Sequence, residues 1–265
     1  MKKRLCLVLS LLMLTICIST LAESAEWNYD AEYCILRGYT GAGGDVVVPE
    51  EIDGFTVDVI GINVFKGDTI TSLTLPETVL ELRSNAVSSC ENLTSVTLPQ
   101  SLVVINRMNF FSCNALSEIT IPAGVRYIGD GSFRFCDALR KITFEGMCPA
   151  IDMDCFSILP EDAVAYVPDD QLEAYTAAFE NAGSAVSVQP SGKSAVVVDN
   201  NGYVESEFDF DASTGTITRY NGYATYLAIP ETIGGAAVKA IGPEAFAHHY
   251  YLALLELPEG LEMNN

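Results

Sequence analysis

The sequence predicts an α/β repeat solenoid: coils of about 23 residues stacked with a parallel β-sheet on one face, a capping helix, and the start of a second array. Three observations predict it. The phrase Ser72-Leu73-Thr74-Leu75-Pro76 returns as Ser95-Val96-Thr97-Leu98-Pro99 and again as Glu118-Ile119-Thr120-Ile121-Pro122, 23 residues apart each time. Apolar columns run through the rest of the unit at the same step. A longer echo, offset by 181 residues, relates residues 26–65 to residues 207–246.

The chain opens on Lys2, Lys3 and Arg4, followed by an almost wholly apolar run to Leu21. Thr20 and Ala22 are small residues in cleavage-site positions, so residues 1–22 are expected to be a removed export signal. Removal takes away three positive charges and no negative one, moving the formal net charge from -21 to -24. No later apolar run approaches the ~20 residues of a bilayer span. The expected location is therefore secreted or at the cell surface. With 35 acidic and 14 basic residues, the chain is a poor match for nucleic acid or an anionic membrane. Its 49% hydrophobic content separates it from disordered acidic tails.

The first array is placed over residues 23–183. In Leu73-Thr74-Leu75 the apolar residues alternate, which reads as a short strand with one face inward. Proline ends the strand because it has no N–H for a neighbouring strand. The rest of each unit turns back through fixed columns: Leu82, Ile105, Ile128 and Ile151; Val87, Phe110, Phe133 and Phe156, with Phe179 still in phase; Cys90, Cys113 and Cys136. One unit cannot bury its apolar face alone. Stacked units can, with strands pairing in parallel at about 4.8 Å per step and irregular or short helical turns behind.

The recurring unit Leu-x-x-Ile-x-Leu-Pro-x-x-Val-x-x-Ile-x-x-x-x-Phe-x-x-Cys, best seen from Leu116 to Cys136, resembles the BspA-like (Treponema pallidum type) leucine-rich repeats. That resemblance is specific for the fold. For function it implies a bacterial surface or secreted protein, in some relatives an adhesin for host proteins.

After Tyr166-Val167-Pro168 the array is expected to end in a helix over 171–181, with Asp169 or Asp170 as N-cap and Gly183 just past its end. Residues 184–202 read as a linker holding one strand around Ala195–Val198. Residues 203–265 then restart the array. That second copy stops without closing, so a fragment, a truncated gene or a shifted frame is expected. Self-association through its open end is expected too, because an uncovered coil leaves unpaired backbone groups.

Chemistry is sparse. Six cysteines follow the leader, three of them in one solenoid column. Buried free thiols are expected, with one bridge between adjacent coils as the alternative. No Cys-x-x-Cys pair suggests zinc. A cysteine nucleophile lacks a base, since the histidines are His248 and His249 only. Asp209–Gly215 and Asp199–Gly202 miss calcium-loop spacing and read as turns. No catalytic, cofactor or metal residue is assigned.

The candidate partner-binding face is the outward row of the sheet. It comprises Thr74, Thr97, Thr120 and Thr143, flanked by Ser72, Ser95, Glu118 and Lys141. The blander reading is that threonine simply suits an exposed strand. The leading expectation is a non-enzymatic module for adhesion to an extracellular or host protein. The alternatives are a spacer displaying a downstream domain, or the accessory region of a secreted hydrolase.

Overall fold

The computed structural model describes residues 26–67, 69–197, 207–221, 226–247, 252, 254–258 and 261–263. The expected leader, the Asp199–Gly202 turn and both histidines lie outside them. The chain divides into two compact units, one ending at Val198 and the other beginning at Asp199.

The first unit is a parallel-strand solenoid with two ladders on its front and one on its rear. On the front, Gly44–Val47, Ile70–Thr74 and Ser95–Thr97 pair in parallel, as do Glu118–Ile121, Lys141–Phe144, Val164–Val167 and Ser187–Pro190. The three strands that the proline phrase locates and the next one, Lys141–Phe144, are thus parallel, but they belong to two front ladders. The interruption falls between Ser95–Thr97 and Glu118–Ile121. There Val96 is half-buried, while Leu73 and Ile119 at the same position are 1% and 3% exposed.

The rear corrects the expectation of irregular or helical turns. Val59–Ile60, Glu81–Leu82, Val104–Ile105, Tyr127–Ile128 and Ala150–Ile151 form a third ladder, parallel throughout these strands. These are the strands of the Leu82–Ile105–Ile128–Ile151 column. Each is two residues long because sharp turns flank it. Asn85, Met108, Gly131 and Asp154 hold φ of 58, 54, 63 and 57, and Ser89, Ser112, Phe135 and Ile158 repeat that left-handed conformation further on. Two left-handed residues per coil fold the return segment tightly enough to bring Phe and Cys inward.

The core runs between the ladders. Phe110, Phe133, Phe156 and Phe179 stack with ring centroids 5.2, 5.0 and 4.9 Å apart, close to the ~4.8 Å separation of paired strands. The cysteine column lies beside them as free, buried thiols. Cys113 Sγ donates to the Val87 carbonyl at 3.2 Å, and Cys136 Sγ to the Phe110 carbonyl at 3.0 Å. Burial pushes the Cys136 thiol up to about 12 and the half-buried Cys148 thiol to about 11.

Both ends of the unit are covered. At the start, Trp27–Asp30 pairs antiparallel with Ile35–Tyr39, and Trp27 and Tyr39 pack on Phe65. At the far end the helix is Leu172–Asn181, preceded by a 3-10 turn over Asp169–Gln171. Its buried Tyr175 and Phe179 meet Phe144, at 4.7 and 6.0 Å between ring centroids. The strand expected around Ala195–Val198 lies instead at Ser187–Pro190, past the helix, and continues the front ladder.

The second unit repeats this opening on its own core of Phe208, Ile217, Tyr220, Leu227 and Ile241. Phe208–Asp211 pairs antiparallel with Thr216–Tyr220, which pairs in parallel with Ala240–Ile241. The 181-residue offset is kept, since Ile35 faces Val59 just as Thr216 faces Ala240. Even the tight hairpin recurs: Asp53-Gly54 and Gly234-Gly235 each place two successive residues at positive φ, as a type I′ turn demands. Asp211 Oδ1 accepts from the Ser213 N–H at 2.9 Å and the Ser213 hydroxyl at 2.6 Å, so that acidic segment is a hairpin turn.

Candidate partner-binding face

Strand alternation decides which side chains reach solvent on the front. Leu73, Ile119 and Ile142 point into the core, so the residues on either side of each point out. The registers align the predicted residues across the ladders: Ser72 with Ser95 and Thr74 with Thr97; Glu118 with Lys141 and Thr120 with Thr143. Ser95, Thr97, Glu118, Thr120 and Lys141 are exposed, and Ser72, Thr74 and Thr143 are half-buried. All eight are therefore accessible and arranged in two rows, with the ladder break in the middle.

The rows extend further than the threonine pattern. Asp45 opens one row opposite Ser72 and accepts its hydroxyl at 2.7 Å. Val47 opens the other opposite Thr74 and is 66% exposed. At the far end Tyr166 follows Thr143, and Gln189 follows Tyr166. Sequence reading missed these four because their units have lost the Thr-x-Pro phrase. Only the 23-residue step itself points to Tyr166 and Gln189.

Asp169 and Asp170 were expected to cap the helix and do not. The helix begins at Leu172 without a side-chain cap. Asp169 Oδ1 accepts from the Gly192 N–H, and Asp170 Oδ1 from the Ala195 N–H, each at 2.8 Å. The Asp169 N–H donates to the Lys193 carbonyl at 2.8 Å, and the Val196 N–H donates to the Glu145 carbonyl at 2.8 Å. The loop 191–196 is thereby pinned upright beside the last front strands. Gly192, at φ +77, provides the left-handed bend this needs.

The pinned loop walls a cleft of about 420 Å³ against the ends of Lys141–Phe144 and Val164–Val167. Phe144, Tyr166, Pro168 and Val196 supply apolar surface, while Thr143, Ser191 and Ser194 supply hydroxyls. Lys141, Lys193 and Glu145 are its charged groups. Lys141 Nζ lies 3.2 Å from Glu118 Oε2, both side chains being largely exposed. No ion pair of Lys193 occurs among the described residues.

No helix among the described residues is long and apolar enough to cross a membrane. No group of three or more potential metal ligands lies together among them.

Comparison with known proteins adds the following. The family model described as BspA type leucine-rich repeat region matches residues 52–184 in six copies. A solved leucine-rich repeat protein from Bacteroides capillosus is 33% identical over 45% of this chain and 93% of its own, with a TM-score of 0.40. The T. pallidum leucine-rich repeat protein is 19% identical over 57% of this chain and 92% of its own, TM-score 0.39. The pneumococcal vaccine antigen PcpA is 20% identical over 86% of this chain and 59% of its own, TM-score 0.43. A search of the curated proteins found no match.

Proposed function

The chain belongs to the BspA-type leucine-rich repeat family, and from that premise we propose that its front face is a non-enzymatic protein-binding surface that acts in adhesion outside the cell. The observation that carries this reading is the pair of accessible polar rows, held in register across the front by backbone pairing. Cys90, Cys113 and Cys136 are buried in a packed column, and burial holds Cys136 and Cys155 protonated, whereas a thiol needs its thiolate to be reactive. Export follows from the basic, apolar and small-residue sequence of residues 1–22. Carboxylate excess suits a soluble partner with a basic or neutral contact patch, since like charges across an interface are repelled.

A direct test uses the mature chain against purified extracellular-matrix proteins on a biosensor surface. Thr97→Arg and Thr120→Arg each place a bulky cation in the middle of the rows without touching the core. Binding of a matrix protein by the parent, lost by tenfold or more in both variants, supports the reading. Binding that is absent in the parent, or unchanged in both variants, refutes it.

A further inference from the structure

We infer that the cleft beside the loop 191–196 is a binding site for a sugar acid, a mono- or disaccharide carrying one carboxylate. The inference rests on the front-face reading only in placing the ligand on that face. Four features point to it. The volume of about 420 Å³ lies in the range of small-ligand pockets and leaves room for one or two sugar rings. The wall is held before any ligand arrives, because Asp169 and Asp170 accept from the loop amides of Gly192 and Ala195. Such pre-organisation reduces the ordering cost of binding.

The lining has the mixed character that a sugar presents. Tyr166 and Val196 offer apolar surface for the C–H faces of a ring, and Thr143 and Ser191 offer hydroxyls to its hydroxyls. Lys141 and Lys193 bring two ammonium groups to one cleft of a chain whose formal net charge is -21. Lys141 can turn from Glu118 to a ligand at little cost, because an exposed ion pair is worth about 0–1 kcal/mol.

The same charge balance argues for one carboxylate rather than several. A polyanion or an acidic peptide would meet the repulsion of the remaining surface, whereas a compact monoanion meets two lysines against one carboxylate in the cleft, Glu145, whose Oε2 already accepts from Gln100 Nε2 at 3.1 Å. The carboxylate is placed between Lys141 and Lys193, with the ring over Tyr166.

The test titrates the mature chain with methyl α-D-galacturonide and, in parallel, with methyl α-D-galactoside, which keeps the ring and lacks the charge. A capped Glu-Ser-Glu peptide is the third probe. The uronide is expected to bind about tenfold more tightly than the galactoside, and to weaken by about tenfold in Lys141→Gln/Lys193→Gln. Arg107→Gln, an exposed side chain of the return segment that lines neither the rows nor the cleft, should leave uronide binding unchanged. No uronide binding at millimolar concentration, equal binding of both sugars, an unaffected double-lysine variant, or tighter binding of the peptide each overturns the assignment. The two readings fail separately. Matrix-protein binding that survives with no sugar binding removes only the cleft, and sugar binding without matrix-protein binding removes only the rows.

Discussion

Phe133 lies face to face with Phe110 on one side and Phe156 on the other, and it is fully buried. Its removal opens a void in the middle of the stack. Phe133→Ala should therefore cost about 3–5 kcal/mol, read as a lowered urea midpoint. An unchanged midpoint would contradict the stack as the centre of the core. Met108 presents the opposite case. It holds φ 54, where the coil before it has Asn85 and the coil after it has Gly131. An ordinary side chain in that conformation costs about 1–2 kcal/mol, so Met108→Asn should raise stability by roughly 0.5–1 kcal/mol. A lower melting temperature for that variant would refute the strain. Cys136 sets a pH dependence. Its thiol is raised from 9.0 to about 12 when folded, by burial first. Above pH 9 the unfolded chain loses this proton and the folded chain keeps it, so stability falls as pH rises. Between pH 8 and 10.5 this one group should remove about 2 kcal/mol, and Cys136→Ala should flatten that part of the pH profile.

At the scale of elements, the front strands were legible and the rear ones were not. Three or four residues ending in proline show alternation. Two residues such as Val104–Ile105 cannot, because a period of two needs at least a second cycle to be seen. Only the column was visible, and a column alone does not distinguish a strand from a turn. The helix itself was legible with Gly183 marking its end, but its start was misread: Asp169 and Asp170 have the right chemistry for a cap and are used by a loop more than 20 residues later. Local rules do not contain that partner. Of the candidate face, the threonines were legible from the repeat phrase, whereas the cleft needed Lys193, which belongs to no repeat. The loop contact can be tested by hydrogen exchange. Asp169→Ala/Asp170→Ala should speed exchange at Gly192 and Ala195 about 10–100-fold, while the helix amides from Ala174 onward keep their protection. Faster exchange in the helix alone would restore the cap assignment.

At the scale of the whole chain, the two units have separate cores and bury corresponding front-strand residues to different extents. In the first, Leu73 and Leu75 on the front strand are 1% and 3% exposed. In the second, Leu255 on the corresponding strand is half-buried and the neighbouring Leu257 is 45% exposed. Less burial means less stabilisation at about 25 cal/mol per Å². Chemical denaturation of the 265-residue chain should thus show two transitions, the second unit unfolding first. One cooperative transition on every probe would mean that the units are coupled. We also expect the exposed Leu257 to pack against another copy of the chain. Leu257→Lys should shift sedimentation of the chain toward the monomer, and identical sedimentation of parent and variant would remove that expectation.

The ladders also determine how the first unit responds to being pulled. Its strands lie across the stack, so the backbone hydrogen bonds joining one coil to the next point along it. Tension between the ends loads those bonds a coil at a time, which is the weak direction of a sheet, and the stacked phenylalanines separate at the same step. Each coil that yields releases 23 residues, or about 80 Å of extended chain. A single molecule held at both ends of this unit should lengthen at low force in a series of near-equal steps, giving way by degrees where a sheared sandwich would hold and then snap.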